Sequence, residues 1–251
     1  KIHFNMNENV VIIPTFNEKE NITITISEIS KLKTKFDIVV VDDNSPDKTG
    51  EIVKNIIKSK KYNFNIHLIE RNDKKGLGSA YIEGFNYAIS KKYSYIFQLD
   101  ADGSHNPLDL EILQNHISKN KIDVVIGSRY IKGITVVNWP IERVLLSYFA
   151  NRYVNIITGI KVKDTTGGFN GYSLFALKNI LKYNIMFEGY AFQIQLKFIA
   201  TKLNLMIKEI PIIFKDRIRG KSKMSFSIFG EAIFGIIKMK LLSFFTNYKI
   251  N

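Results

Sequence analysis

Short apolar runs alternate with amphipathic stretches through the first half of the chain. The runs are Val10–Ile13, Ile38–Val41, Ile66–Ile69, Tyr95–Leu99 and Asp123–Gly127. Each is short and apolar enough to be a buried parallel strand. The stretches between the runs carry apolar residues at helical spacing, as at Ile22, Ile26 and Ile29. This alternation predicts an α/β fold: a mostly parallel, doubly wound sheet flanked by helices and joined by right-handed crossovers.

Polar residues follow these strands where each strand ends. The turns are Pro14–Glu18 after the first strand, Asp42–Asp47 after the second and Asp100–Ser104 after the fourth. Because ligands of open α/β sheets collect at the carboxyl ends of strands, we expect these turns to meet at one edge. Asp100 and Asp102 would repel each other unless a cation lay between them. Their hard oxygen ligands indicate Mg²⁺ or Mn²⁺ holding a diphosphate.

Two of these turns, and the glycines near Leu77, also have a simpler interpretation. An Asp-Gly sequence is often a solvated acidic turn. The pair Asp42 and Asp43 could cap the following helix instead of binding a ligand. The sequence Gly76-Leu77-Gly78 resembles a phosphate-cradling turn, but helix packing also explains its glycines.

Composition narrows the classes of partner. The 251 residues have room for one large α/β domain or two small ones. The absence of cysteine excludes disulfides and thiolate metal sites. A net charge of +13 predicts an anionic partner: nucleic acid, an acidic membrane surface or a phosphorylated substrate. From the apolar pattern we expect neither a secretory signal nor a membrane-spanning segment.

Four motifs occur in order and at suitable spacing along the chain. They are Pro14–Glu18, Val41–Asp47, Gly76–Tyr81 and Asp100–Pro107. Together they resemble the family-2 inverting glycosyltransferases of the GT-A fold, and within that family the dolichol-phosphate mannose synthases. The likeness runs from Val10 to Ser225.

The resemblance implies a donor site. The donor-binding residues it implies are Pro14, Thr15, Asn17, Glu18, Asp42, Asp43, Gly76, Asp100, Ala101 and Asp102. It also implies that Asp100 and Asp102 hold the divalent metal, Mg²⁺ or Mn²⁺, with Ser104 completing the metal's shell.

The resemblance implies an acceptor site in the second half of the chain. Its Arg129, Arg143 and Ser147 would meet a lipid phosphate, and the basic segment that follows would close over the phosphates through Arg217 and Lys223. From composition alone, that basic segment could equally be a solvated loop. Glycine and serine within it would suit a mobile lid.

Two amphipathic segments, Trp139–Phe149 and Ala150–Ile160, are predicted in this region. They either pack on the sheet or lie in a lipid interface with Arg143 and Arg152 toward the headgroups. We predict a GT-A catalytic domain over 1–224, including interface and acceptor helices at 131–160. An amphipathic helix over 225–251 would then bind a membrane surface or, equally well, a partner subunit.

Other parts of the second half depart from the family pattern or add to the core. Asn170 stands where the family has arginine, so an ion pair there would be lost, and Gln195 stands where an acid is common. Pro211 predicts an edge strand within Ile207–Phe214. A helix after Phe187 would place its apolar face in the core, and the residues of that face are Phe192, Leu196, Ile199 and Leu203.

The resemblance implies an inverting transfer of mannose from GDP-mannose to dolichyl phosphate. The acceptor oxygen is already anionic, so no general base is required. The resemblance implies attachment to the cytosolic face of the endoplasmic reticulum membrane, small accessory subunits, and a place in protein glycosylation and GPI-anchor biosynthesis. One alternative is transfer of glucose from UDP-glucose to the same lipid phosphate. Another is a basic membrane-binding protein without activity; nucleic acid is not expected, because the clustered carboxylates would repel its backbone.

Overall fold

The computed structural model describes residues 8–73, 75–189, 191–217 and 226–250. In the last helix the side chains are described from residue 233 onward. Within these ranges the strands are β1 (Asn9–Thr15), β2 (Asp37–Asp42), β3 (Ile66–Glu70), β4 (Tyr95–Gln98), β5 (Val124–Ser128), β6 (Val136–Val137), β7 (Asn170–Ser173), β8 (Ile207–Pro211) and β9 (Phe214–Lys215). The helices are α1 (Ile22–Ser30), α2 (Thr49–Ser59), α3 (Leu77–Ser90), α4 (Asp109–Lys119), α5 (Ile141–Thr158), α6 (Leu174–Ile180), α7 (Ala191–Lys202) and α8 (Phe226–Leu242).

One sheet organises the molecule, with strand order β3-β2-β1-β4-β7-β5-β8. All neighbouring pairs are parallel except those made by β7, which lies antiparallel between β4 and β5. The predicted mostly parallel sheet is therefore confirmed. Strand β7 was not predicted, because Asn170-Gly171-Tyr172-Ser173 has no apolar run.

Helices cover both faces of the sheet, and an apolar core lies on each side. One core includes Phe85, Tyr172 and Phe192; the other includes Phe36 and Phe97. The four residues predicted to face the core are all buried; Phe192, Leu196 and Ile199 lie on α7, and Leu203 directly follows it. Strand β8 lies at the edge of the sheet, as Pro211 predicted. It ends at Pro211, three residues before the predicted end at Phe214.

The prediction of two amphipathic segments over 139–160 was wrong. A single helix, α5, runs from Ile141 to Thr158. Pro140 precedes the helix and Gly159, with a φ of 78°, ends it, whereas the expected boundary at Phe149 and Ala150 contains no helix-breaking residue.

Helices α5 and α8 pack together beside α7, and Ile236 and Met239 of α8 are buried in the first core. After α8 the chain returns to the body, where the Tyr248 ring lies 4.8 Å from that of Tyr183. The domain division at residues 224 and 225 stays a prediction. Among the helices that the structure describes, none is long and apolar enough to cross a membrane.

Candidate active site

Two adjoining cavities lie at the carboxyl ends of β1 and β4. Their volumes are about 120 and 410 Å³. Leu77, Asp100, Asp102 and Arg217 line both cavities. Only Leu99 separates Asp100 from the end of β4, so the sheet brings Asp100 and Asp102 to the boundary between the two spaces. The turn after β4 therefore lines both cavities, and its two carboxylates are half-buried.

The smaller cavity collects most of the predicted donor-binding residues. Those that line it are Pro14, Thr15, Glu18, Asp43, Gly76, Asp100, Ala101 and Asp102. Phe16, Leu77 and Ala80 also line it, although the sequence did not single them out. The wall thus combines three turns from separate strands with the start of α3.

Two predicted donor residues do not line this cavity. The Asp42 carboxylate accepts hydrogen bonds from the hydroxyls of Thr15 and Ser45, at 2.7 and 2.6 Å. The backbone N–H of Asn17 donates to the Ser45 hydroxyl at 3.0 Å. Asp42 and Asn17 therefore hold the two turns against each other. Neither Asp42 nor Asp43 caps α2, since it is Asp47 that accepts from the backbone N–H of Thr49, at 3.0 Å.

Asp43 forms a buried ion pair that sequence analysis missed. Its Oδ1 lies 2.9 Å from Nη1 of Arg71, and both side chains are almost completely buried. Nη2 of Arg71 also donates to the Ser79 hydroxyl at 2.7 Å. Arg71 comes directly after β3, so its place at a strand end was the available signal. The pair fixes Asp43 and neutralises its charge at the back of the smaller cavity.

The sequence Gly76-Leu77-Gly78 serves close packing as well as the cavity. The Gly78 N–H donates to the Glu188 carbonyl at 2.7 Å, and a Cβ on Gly78 would lie 2.9 Å from the Phe192 side chain. The packing explanation therefore holds for Gly78, while Gly76 lines the smaller cavity.

The two carboxylates between the cavities are held differently. The Tyr81 hydroxyl donates to Oδ1 of Asp100 at 2.9 Å, and burial together with the nearby Asp102 raises the pKa of Asp100 to about 6. Oδ1 of Asp102 accepts from the Ser104 N–H at 3.0 Å, and its Oδ2 lies 3.3 Å from Nη2 of Arg217. A cation between the two carboxylates would relieve their repulsion.

The donor set fits a metal shared with a phosphorylated ligand. Among the described residues, no three His, Cys, Asp or Glu side chains are grouped to hold a metal by themselves. Mg²⁺ is typically bound through one or two carboxylates together with substrate phosphates, and Asp100 and Asp102 match that arrangement. The role of Ser104 as a further metal ligand stays a prediction.

The larger cavity collects the predicted acceptor residues on an apolar wall. Arg129, Arg143, Ser147 and Arg217 all line it, beside Leu146, Phe149, Val154, Ile233 and Ile236. Lys223, the remaining predicted residue of this group, lies outside the described residues. A cavity lined by both arginine side chains and apolar side chains suits an amphipathic anion.

Arg129 and Asp164 form a buried bidentate ion pair in this wall. Nε and Nη2 of Arg129 donate to the two Asp164 oxygens at 2.8 and 2.7 Å, and Nη2 also donates to the Thr166 hydroxyl. Burial alone would raise the pKa of Asp164, but the ion pair with Arg129 lowers it to about 2. Most of the Arg129 hydrogen-bonding capacity is therefore already used within the protein.

Arg143 and Ser147 are more accessible from the cavity. The Arg143 guanidinium lies 4.1 Å from the centre of the Trp139 ring, and its Nη1 lies 2.9 Å from Oδ1 of Asp216. The Ser147 hydroxyl accepts from the Tyr130 hydroxyl at 2.7 Å. The indole N–H of Trp139 is buried and has no hydrogen-bond partner in the described part of the chain.

His105 is another cavity residue to which the sequence gave no role. Its ring lies between Phe169 and Phe214, at centroid distances of 4.8 and 4.9 Å. Burial lowers the pKa of His105 to about 4, so the ring is neutral at neutral pH. Over the described ranges neither ring nitrogen has a hydrogen-bond partner.

This arrangement suits a transfer between two phosphorylated molecules. A polar ligand with a cation would occupy the smaller cavity, and an amphipathic anion the larger one. The two ligands would meet at Asp100 and Asp102. Pre-positioned cations and carboxylates at such a boundary can stabilise charge that develops on a leaving phosphate.

Comparison with known sequences identifies close relatives. The sequence profile described as Glycosyl transferase family 2 matches residues 10–181. A polyprenol monophosphomannose synthase from Mycolicibacterium smegmatis is 38% identical over 227 residues, which cover 90% of this chain and 84% of the relative. An undecaprenyl-phosphate mannosyltransferase from Micrococcus luteus is 36% identical over 232 residues, covering 92% and 93% of the two chains.

Solved structures share the fold at low sequence identity. Glucosyl-3-phosphoglycerate synthase from Mycobacterium tuberculosis, solved with Mn²⁺, UDP and glucosyl-3-phosphoglycerate, has a TM-score of 0.65 at 18% identity, covering 94% of this chain and 79% of that one. A mannosyltransferase from Pyrobaculum calidifontis, solved with GDP-Man and Mn²⁺, has a TM-score of 0.62 at 14% identity, with 98% and 66% coverage. The GT-A fold implied by the motifs is confirmed.

Proposed function

The chain belongs to glycosyl transferase family 2, and we propose that it transfers mannose from GDP-mannose to a polyprenyl phosphate, dolichyl phosphate being the acceptor that its motifs indicate. The enzyme class predicted from the motifs, a glycosyltransferase, is confirmed by the same match and by the two mannosyltransferase relatives. The observation that carries the proposal is the meeting of a polar and an apolar, arginine-bearing cavity at Asp100 and Asp102.

The donor would occupy the smaller cavity. Its nucleoside would contact the turns at Pro14–Glu18 and Asp43, and its diphosphate would approach Asp100 and Asp102. Those two carboxylates, with Ser104, would hold Mg²⁺ or Mn²⁺, which when bound neutralises charge on the leaving diphosphate. Two solved structures of this fold contain Mn²⁺, which supports a divalent ion here.

The acceptor phosphate would lie at the basic end of the larger cavity, with its first prenyl units along the apolar wall. Arg143, Ser147 and Arg217 would contact the phosphate, with Arg129 behind them and Lys223 added from the following segment. These groups position an oxygen that is already anionic, so no side chain has to remove a proton. Attack from the side of the sugar opposite the leaving diphosphate inverts the anomeric centre.

A membrane surface is the proposed source of the acceptor. Large apolar side chains of α5 and of the chain around α8 are exposed, among them Phe149, Phe234 and, at 90% exposed, Phe245. Lys238 and Lys240 lie among them and would be attracted to anionic lipid. The specific prediction of the endoplasmic reticulum membrane, with GPI-anchor biosynthesis and accessory subunits, rests on the dolichol resemblance; the two relatives named above are bacterial.

Transfer of labelled sugar tests the proposal. Labelled GDP-mannose and, separately, UDP-glucose are incubated with dolichyl phosphate and Mg²⁺ or Mn²⁺. We expect metal-dependent labelling of the lipid from GDP-mannose. Labelling from UDP-glucose alone would overturn the mannose assignment, and labelling from neither would overturn the proposed activity.

Asp102→Asn tests the metal assignment in the same assay. Loss of the carboxylate should lower transfer by about 100-fold or more, as expected for a group that supports charge in the transition state. Asp73→Asn, in an exposed loop, is the matched control. Normal transfer by Asp102→Asn in saturating metal would show the metal assignment to be wrong.

A further inference from the structure

Asn170, the residue that departs from the family's arginine, is completely buried at the start of β7. Its Nδ2 donates to Oε1 of Gln98 at 2.9 Å and to Oε1 of Gln193 at 3.1 Å. The same nitrogen lies 3.2 Å from the Gly167 carbonyl. Since a carbonyl oxygen can only accept, it determines which end of the Asn170 amide is the nitrogen.

The orientation of Asn170 in turn determines that of Gln193. Because Oε1 of Gln193 accepts from Asn170, its Nε2 must point to the other side. Gln193 is 1% exposed, and its Nε2 is buried without a hydrogen-bond partner among the residues that the structure describes. Nε2 of Gln98 and Oδ1 of Asn170 are likewise buried without a hydrogen-bond partner among the described residues, but neither side chain lines either cavity. Buried amide donors are almost always paired, so it is the Gln193 donor, in a cavity wall, that a ligand could complete.

The unpaired donor lies beside the metal-binding carboxylates. Gln193 lines the larger cavity together with Asp100 and Gly168. A Cβ added to Gly168 would lie 3.6 Å from Nε2 of Gln193 and 3.9 Å from Oδ2 of Asp100. The amide donor and the carboxylate therefore lie on either side of the open position above Gly168, in the wall of the larger cavity.

We propose that Gln193 binds the transferred sugar, its Nε2 donating a hydrogen bond to a sugar hydroxyl, and that Asn170 is the positioning residue that aims it. This inference rests on the proposed function, because it places the sugar between the donor diphosphate and the acceptor phosphate. With asparagine in place of arginine, the side chain behind Gln193 is a neutral amide that does not itself line the cavity. A neutral amide suits a neutral hydroxyl, whereas a guanidinium would attract the phosphates on either side.

The same hydrogen bond would make the enzyme selective for its sugar. A wall built to pair with a hydroxyl discriminates against analogues that lack it, because the buried donor is then left unpaired. Gln193 would therefore recognise one hydroxyl of the sugar and would not affect the affinity for the nucleotide. A bound water would also satisfy the amide, and the experiment separates that case.

The test compares sugar recognition with nucleotide recognition. Dissociation constants for GDP, and kcat/KM for GDP-mannose and its monodeoxy analogues, are measured with Mn²⁺ for the wild type, Gln193→Met and Asn170→Leu. Gln114→Met, on α4 and away from both cavities, is the matched control. Thermal unfolding and GDP binding verify that each variant is folded.

We expect Gln193→Met to lower kcat/KM for GDP-mannose by about tenfold while the Kd for GDP is unchanged. With the wild type, kcat/KM for one monodeoxy analogue should be lower than that for GDP-mannose by a similar factor. With Gln193→Met, kcat/KM for that analogue and for GDP-mannose should be equal. Asn170→Leu should shift in the same direction, and Gln114→Met should behave as the wild type.

Equal losses for every analogue in the wild type and in Gln193→Met would overturn the inference and assign the amide to water. A Gln193→Met variant with unchanged kcat/KM would also overturn it. If the wild type transfers no mannose, the proposed donor is wrong, and the same comparison is made with UDP-glucose and its deoxy series. The proposed function and this inference are both wrong if the wild type transfers neither sugar, and binds GDP-mannose no more tightly than GDP and UDP-glucose no more tightly than UDP.

Discussion

The Tyr81 hydroxyl donates a hydrogen bond of 2.9 Å to Oδ1 of Asp100. Tyr81 is completely buried in α3, with its ring stacked on those of Phe85 and Phe192. The phenol therefore cannot follow a moving carboxylate, and it holds Asp100 in one orientation at the boundary of the two cavities. Asp100 is a proposed metal ligand, and the hydrogen-bond partners of a metal ligand usually matter nearly as much as the ligand itself.

We expect Tyr81→Phe to raise the Mn²⁺ concentration needed for half-maximal transfer by about tenfold. The ring packing is retained, so transfer in saturating metal should stay near the wild-type rate. A titration of activity against Mn²⁺ measures this, with Tyr87→Phe, outside both cavities, as the control. An unchanged metal requirement would show that the hydrogen bond does not orient Asp100.

Arg143 and Arg152 lie on the same helix but only Arg143 lines the larger cavity. Arg143→Ala should raise the KM for polyprenyl phosphate by about tenfold, since a charge-assisted hydrogen bond to the phosphate is lost. Arg152→Ala, at an exposed position, should leave it unchanged. Steady-state kinetics with each substrate varied in turn would measure both constants. A larger effect on the donor KM than on the acceptor KM would contradict the acceptor assignment.

Trp139 is the only tryptophan of the chain, and it lines the larger cavity beneath Arg143. Its emission should therefore change when a lipid phosphate enters. We expect a saturable change with dolichyl phosphate and none with the uncharged alcohol dolichol in the same detergent. Fluorescence titration measures the difference, and identical responses to the two lipids would show that the phosphate does not reach this end of the cavity.

Lys197 makes the stability depend on pH. Its buried Nζ donates to the carbonyls of Thr165 and Gly167 at 3.1 and 2.6 Å, and burial lowers its pKa from 10.5 to about 7. Between these two pKa values the unfolded chain binds more protons than the folded one. The contribution of Lys197 to stability therefore rises with pH from about 7 toward 10.

The melting temperature of the wild type minus that of Lys197→Met should accordingly increase from pH 7 to pH 9. The hydrogen bonds lost in the variant change this difference in melting temperature by the same amount at every pH. The quantity to compare is therefore the change of the difference with pH. Lys178→Met, at an exposed position on α6, should give a flat difference. A flat difference for Lys197→Met as well would mean that this lysine keeps its ordinary pKa.

The sequence by itself determined the strands β1 to β5, the edge position of β8, the family and most of the residues that line the smaller cavity. Those features depend on local patterns: apolar runs of strand length, and polar turns that a parallel sheet must gather at one edge. The same reasoning brought Asp100 and Asp102 to the edge shared by the two cavities, because only Leu99 separates Asp100 from the end of β4.

The tertiary structure alone decided which side chains finish the site. Asn170 and Gln98 are separated by 72 positions, and Arg129 and Asp164 by 35, so no periodicity relates them. Their pairing depends on β7 entering the sheet antiparallel between β4 and β5, through a strand with no apolar run. Hydrogen bonds between such distant residues form only once the sheet is assembled. This is why the hydrogen bonds of Asn170 to Gln98 and Gln193 could not be predicted from the sequence.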